Sequence, residues 1–168
     1  MAGIPIRIEP MDDADAEAVL RIYGEGIATG LATFETEVPD WRRWKATHRQ
    51  EGRLVAREPD AGVVGWTALS SWSGRTVYAG VCWESVYVAA AARGRGVGRA
   101  LLEALIPIAE AAGIWTLIAG VQAENVASLA LHEAVGFRRI GVHERLARDA
   151  TGAWRDVVML ERRSGATG

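Results

Sequence analysis

A single lysine and a single cysteine stand among the 168 residues, and each scarcity excludes chemistry. A phosphate loop of the G-x-x-x-x-G-K-[ST] type needs a lysine directly behind its glycines. Lys45, the only lysine, has no such setting, so nucleoside triphosphate chemistry of that kind is excluded. One cysteine makes neither an intrachain disulfide nor a cysteine-based zinc site. Cys82, between Val81 and Trp83, reads as a small buried strand residue. His48 and His143 have no ligand-like neighbours in the chain, so no metal is expected. No apolar run approaches the roughly 20 residues that span a bilayer. The N-terminus lacks the basic-then-apolar layout of an export signal, and a cytosolic protein is expected. Basic and acidic residues nearly balance, 19 against 21, and are interleaved, which leaves no basic face for nucleic acid. Seven tryptophans are scattered without basic residues between them, a pattern of core or subunit contact rather than of base stacking. Repeats and low-complexity linkers are also missing.

What is present suits one globular domain over residues 1–163, with 164–168 as a disordered tail: 49% of the chain is hydrophobic and 24% charged. Ile4 to Ile8 alternates like a first strand. Asp12, Asp13 and Asp15 offer caps for a helix that carries Ala18, Val19, Ile22 and Tyr23 on one side and ends between Gly24 and Gly30. Pro39-Asp40 opens a second, short helix with Trp41 and Trp44 on one side. Leu54 to Ala56 and Val63 to Leu69 form a hairpin around the turn Pro59 to Gly62. A long strand is predicted over Tyr78–Val88, a helix over Gly98–Ala112 stopped by Gly113, and a strand over Ile114–Val121. The helix between the last two strands makes them parallel neighbours. Asn125 to Val135 reads as a helix closed by Gly136, and Phe137–Val142 and Trp154–Arg162 as strands around a turn with Asp149 and Gly152. The fold class is α/β with a mixed sheet.

The densest signal is Arg93 to Arg99, RGRGVGR, between the strand end Val86-Tyr87-Val88 and the helix-forming Ala100-Leu101-Leu102. Glycines 94, 96 and 98 let backbone N–H groups converge at the positive end of a helix, which makes a pyrophosphate cradle. A dinucleotide fingerprint, G-x-G-x-x-G, fails here, because its third glycine falls on Arg99 and the stretch lies past mid-chain. The pattern [RQ]-x-x-G-x-[GA], met by Arg93, Gly96 and Gly98, resembles the acyl-CoA-binding motif of GCN5-related N-acetyltransferases. A second stretch, Glu124-Asn125, Ser128, Leu131-His132 and Gly136-Phe137, is similar to that family's second CoA-binding segment. Asn125, Ser128 and His132 share one helical face.

The resemblance implies the acetyltransferase fold, with two central parallel strands splayed apart and acetyl-CoA as co-substrate, its pantetheine pairing with strand backbone in the gap. It assigns cofactor binding to Val86, Tyr87, Val88, Arg93, Gly94, Arg95, Gly96, Val97, Gly98, Arg99, Asn125, Ser128 and His132. One branch is matched more closely, the phosphinothricin and methionine sulfoximine acetyltransferases. The matching stretches are Ile22-Tyr23, Phe34 to Glu37, Trp66 to Trp72, Arg75, Tyr78, Ser85 to Val88, Leu131-His132 and Trp154 to Asp156. Members of this branch acetylate the α-amino group of small amino-acid-like compounds, usually as homodimers. By that resemblance Phe34, Glu35, Arg75 and Tyr78 line the acceptor pocket, with Arg75 on a carboxylate or phosphinate, and Trp72 and Trp154 lie near the pocket or the dimer contact. His132 stands where many acetyltransferases place a tyrosine that protonates the leaving thiolate.

The general base is expected to be Glu84, with Glu35 in reserve, because a protonated amine cannot attack a thioester. A strand N–H such as that of Val86 or Tyr87 is available to the oxyanion. The branch pattern has its glutamate where this chain has Trp83, and a one-residue slip in a regular strand turns the carboxylate to the other face unless a bulge restores it. Alternative readings are acetylation of another small amine or of a protein N-terminus, and a non-catalytic CoA-binding module.

Overall fold

The computed structural model describes residues 5–166. Its elements follow the chain as β1 Arg7–Pro10, α1 Ala16–Ala28, α2 Trp41–Thr47, β2 Leu54–Glu58, β3 Gly62–Ser71, β4 Val81–Val88, α3 Val97–Ala111, β5 Thr116–Gln122, α4 Val126–Ala134, β6 Arg138–Arg148 and β7 Trp154–Arg163. The strands form one sheet in the order β1-β2-β3-β4-β5-β7-β6. Only β4 and β5 pair in parallel, joined through α3 as the helix between them requires.

Local chemistry places the helix starts. The Asp12 side chain accepts from the Ala14 N–H, Asp40 from the Arg43 N–H and Asn125 from the Ser128 N–H, each occupying a donor that the first helical turn leaves free. Leu101, Leu102, Leu105 and Ala109 of α3 are fully buried against one face of the sheet, where Gly65 of β3 lets Val97 and Leu101 come close. Val19 and Ile22 of α1 are buried on the other face, and Trp66 of β3 donates from its indole Nε1 to the Val19 carbonyl. Each such aliphatic side chain contributes about 1.5–3 kcal/mol on burial. Tyr23, Trp44, Trp66 and Tyr87 pack edge-to-face or stacked on the α1 side.

Three boundaries differ from the sequence reading. The first strand lies later, at Arg7–Pro10, and Ile4 is outside the described residues. The strand predicted from Tyr78 begins at Val81, because residues 76–78 turn as a short 3₁₀ helix and the Gly80 carbonyl accepts from Trp115 and Thr116. A Cβ on Gly80 would stand 2.0 Å from the Trp115 ring, so this turn is glycine's alone. The strand predicted over Phe137–Val142 continues to Arg148 past an irregularity between His143 and Ala147. In the stretch read as a tail, the Ser164 N–H donates to the Trp115 carbonyl, and residues 167–168 lie outside the described part.

Candidate functional site

The site begins where β4 and β5 stop pairing. Their last parallel pair is Trp83↔Ile118, while β4 runs on to Val88 and β5 turns away, paired to β7 as far as Gln122↔Val157. The phase of the β3–β4 ladder decides which backbone groups are left over. The Ala89 N–H donates to the Val64 carbonyl, and register then alternates from Gly65↔Val88 down the strand. Hydrogen-bonded pairs therefore fall on Tyr87↔Trp66 and Ser85↔Ala68, the Glu84 N–H goes to β5 in the last parallel pair, and the Glu84 C=O and the N–H and C=O groups of Val86 and Val88 point into the gap. This corrects the expectation for Tyr87: its backbone belongs to the ladder, and only its side chain faces the site. The Val88 carbonyl accepts from Arg93 Nε at 3.1 Å.

Beyond β4 the chain turns through Gly94 and Gly96, with φ of +73° and +83°, a region that side-chain-bearing residues adopt only at a cost. Nothing lies within 4 Å of where their Cβ atoms would stand. The first intrahelical bond of α3 is from Ala100 to the Gly96 carbonyl, so the N–H groups of Val97, Gly98 and Arg99 remain free at the positive helix end. Val86, Tyr87, Val88, Arg93, Gly94, Gly96, Val97, Gly98, Arg99, Asn125 and Ser128 together line a groove of about 470 Å³. Arg95 does not line it: its guanidinium is 2.7 Å from the buried Glu58 and ties the turn to β2. The Arg99 side chain pairs with Glu103 one helical turn on. A Cβ on Gly98 would stand 3.0 Å from Leu131, so this glycine sets how closely α3 and α4 pack beside the groove.

A second cavity of about 640 Å³ opens on the other side of the gap and shares Ala32, Val86, Tyr87 and Ser128 with the groove. Phe34 and Glu35, from the segment after α1, line it with Glu84 and His132. Tyr23, Thr33, Ser70, Trp83, Ser85 and Gly120 complete the wall, residues that come from distant segments and form no motif. Arg75 and Tyr78 are not in this lining. Arg75 lies over the Tyr78 ring at 5.4 Å, and Tyr78 packs edge-on to Trp72 in the segment between β3 and β4. Burial, with Tyr23 alongside, pushes the Tyr87 phenol well above its ordinary range, so it stays protonated at neutral pH.

The cavity wall holds a buried ion pair, one helical turn along α4 from Ser128, which lines both spaces. No bulge interrupts β4, so Glu84 shares a face with Val86 and Val88 rather than with Trp83. That face looks toward α4, and Glu84 Oε1 is 2.5 Å from His132 Nε2, both side chains being 3% exposed. His132 Nδ1 is 2.7 Å from the Ser128 carbonyl, which can only accept, so the proton on Nδ1 is committed there. A second proton must then lie between Nε2 and the carboxylate. Burial alone pulls the His132 pKa down, but the charge and hydrogen bond of Glu84 and the Ser128 carbonyl outweigh it and raise it. Glu84 Oε2 is buried with no hydrogen-bond partner, beside the cavity.

Among the described residues no helix is long and apolar enough to cross a membrane, and no group of three His, Cys, Asp or Glu side chains is placed to hold a metal. Residues 21–137 match the acetyltransferase (GNAT) family. The chain is 36% identical to the phosphinothricin N-acetyltransferase of Alcaligenes faecalis, over 96% of this chain and 84% of that one. It is 29% identical to the L-methionine sulfoximine/L-methionine sulfone acetyltransferase of Pseudomonas aeruginosa, over 88% of each. Its structure superposes on the crystal structure of a GNAT superfamily phosphinothricin acetyltransferase from Sinorhizobium meliloti in complex with AcCoA. That match has a TM-score of 0.86 and 29% identity, and covers 95% of this chain and 89% of that one.

Proposed function

Because this chain belongs to the acetyltransferase (GNAT) family, we propose that it moves the acetyl group of acetyl-CoA to the α-amino group of a small amino-acid-like acceptor, of the phosphinothricin or methionine sulfoximine kind. Acetyl-CoA supplies the acetyl group as an activated thioester. The groove fits it on three counts: the free backbone groups of Val86 and the Val88 N–H can pair with a pantetheine amide, the glycine turn has no side chain in the way, and the open first turn of α3 suits a pyrophosphate.

The observation that carries the chemistry is the Glu84–His132 pair in the cavity wall, beside Val86 and Ser128, which line both cavity and groove. An acceptor amine arrives protonated at neutral pH and is attracted by the carboxylates of Glu35 and Glu84. The unpartnered Oε2 of Glu84 takes its proton, directly or through one water. The unpaired N–H of Val86 faces the gap, available to the oxygen that gains negative charge during transfer. The departing thiolate takes a proton from the Glu84–His132 pair through one water, since His132 Nδ1 is held by the Ser128 carbonyl and Nε2 by Glu84, and the second amine proton is lost to solvent. Arg75 enters this scheme only by folding of the segment between β3 and β4 over the cavity mouth, beside Ser70.

A homodimer and a cytosolic location complete the reading. The edge strand β6 leaves Ile140, Val142 and Leu146 exposed beside Trp154, an apolar strip that a second subunit would cover.

The test is release of the CoA thiol from acetyl-CoA with a panel of phosphinothricin, methionine sulfoximine, methionine sulfone and ordinary amino acids. Turnover is expected on the first three. Silence across the panel with acetyl-CoA still bound would overturn the substrate class and leave another amine or a CoA-binding role.

A further inference from the structure

A third cavity, of about 500 Å³, lies beyond the acceptor cavity and shares Tyr23, Glu35 and Ser70 with it. Its far wall is α2 and the segment leading into it, which the mechanism above does not use. Three charged side chains line this chamber, Glu35, Glu37 and Arg43, and none of them forms an ion pair among the described residues. Arg43 is held by its backbone, its N–H capped by Asp40 Oδ1 at 2.8 Å, while its guanidinium has no hydrogen-bond partner among those residues. Most other arginines around the site are spoken for: Arg95 by Glu58, Arg99 by Glu103 and Arg155 by Asp149 and Glu124. Trp44, fully buried, also lines the chamber, and its indole Nε1–H has no partner. Buried donors are almost always paired, so an unused one in the wall of a polar chamber points to a bound acceptor group.

The charges are laid out along a direction. Glu84 stands at the end where the amine must react, Glu35 between the two spaces, and Arg43, with Glu37 in the same wall, is the one cationic side chain among the described residues of the chamber beyond. No lysine or arginine lines the cavity nearer the reaction point. We propose that the chamber is the distal end of the acceptor site, and that Arg43 binds an anionic oxygen group at the end of the acceptor remote from the reacting amine. A guanidinium meets a phosphinate or a carboxylate through two parallel N–H bonds, which fixes orientation as well as adding affinity. This inference rests on the reading of the chain as an amino-acid N-acetyltransferase and names the residue that selects among its acceptors.

Steady-state thiol release tests it on three acceptors: phosphinothricin and glutamate, with anionic distal ends, and methionine sulfone, with a neutral one. Arg43→Gln should raise KM for phosphinothricin about tenfold, the size of one lost charge-assisted bond. It should leave kcat, KM for acetyl-CoA and KM for methionine sulfone within about twofold of wild type. Arg43→Lys should recover part of the loss. A larger effect on phosphinothricin than on glutamate would mark the chamber as a phosphinate site, and the reverse as a carboxylate site. An equal loss on charged and neutral acceptors, or no loss on either, overturns the role of Arg43 while leaving acetyl transfer standing. A wild type that turns over none of the three overturns both.

Discussion

The groove that ends at the glycine turn and the cavity that holds Glu84 and His132 are built from different material. The groove is largely main chain: unpaired strand groups of Val86 and the N–H of Val88, a turn through Gly94 and Gly96, and the first N–H groups of a helix. The cavity is mostly side chain, assembled from Tyr23, Phe34, Glu35, Ser70, Trp83 and His132, which lie far apart in the chain. A ligand held by backbone leaves a short, contiguous trace, because glycines must stand at fixed spacing for the turn to form. A ligand held by side chains leaves scattered positions that acquire meaning only once strand faces and helix packing are known. The two halves meet along Ala32, Val86, Tyr87 and Ser128, with Glu84 and His132 just inside the cavity beside them, so changes on either side should separate cleanly except there.

The largest effect is expected at that meeting point. His132→Gln keeps a hydrogen-bonding group toward Glu84 but removes the transferable proton, and kcat should fall about a hundredfold or more. The pH profile should change with it. The one-proton pair is the working form, and His132 is held protonated above its ordinary 6.5, so wild-type kcat should fall as pH rises through the raised value, while the variant lacks that alkaline limb.

Next in size is the cofactor side alone. Gly96→Ala puts a Cβ into a left-handed turn with open space around it, so the cost is backbone strain of about 1–2 kcal/mol. KM for acetyl-CoA should rise about fivefold with acceptor KM unchanged, in a steady-state measurement against each substrate in turn. An equal rise in both would break the separation of the halves.

Arg95 offers a smaller test. It stands inside the glycine motif, yet it serves the fold through Glu58. Arg95→Gln should lower stability by about 1 kcal/mol in urea, since it leaves a buried carboxylate without its charged partner, and leave KM for acetyl-CoA almost unchanged. Smallest is the pH dependence of stability. Because the folded state raises the His132 pKa, the pair's contribution is complete below 6.5 and is lost as pH rises through the raised value. The melting difference between wild type and Glu84→Gln should therefore narrow toward alkaline pH.

How much of this could be read from the chain follows the same division. The hairpin of β2 and β3, the parallel neighbours β4 and β5 and the helix starts at Asp40 and Asn125 followed from period and turn residues, and the acetyltransferase fold from the resemblance that the glycine motif carries. The face of Glu84 did not, because it depends on whether β4 carries a bulge, and that is decided by its pairing with β3 along the whole strand. Nor did the separation of Tyr78 and Arg75 from the cavity, since β4 begins only at Val81, after the Gly80 turn under Trp115, and leaves residues 76–78 in a short 3₁₀ helix. Arg95 shows the converse. Its place in the motif suggests ligand contact, whereas its partner lies on β2, distant in the chain.

The most direct test of the account is Glu84→Gln, measured two ways on the same protein: acetyl-CoA binding by calorimetry and thiol release with the best acceptor of the panel. The account predicts binding within about twofold of wild type and turnover reduced about a hundredfold or more. Turnover within about threefold of wild type would contradict it, because the proton of the acceptor amine would then leave by a route that does not use the Glu84–His132 pair.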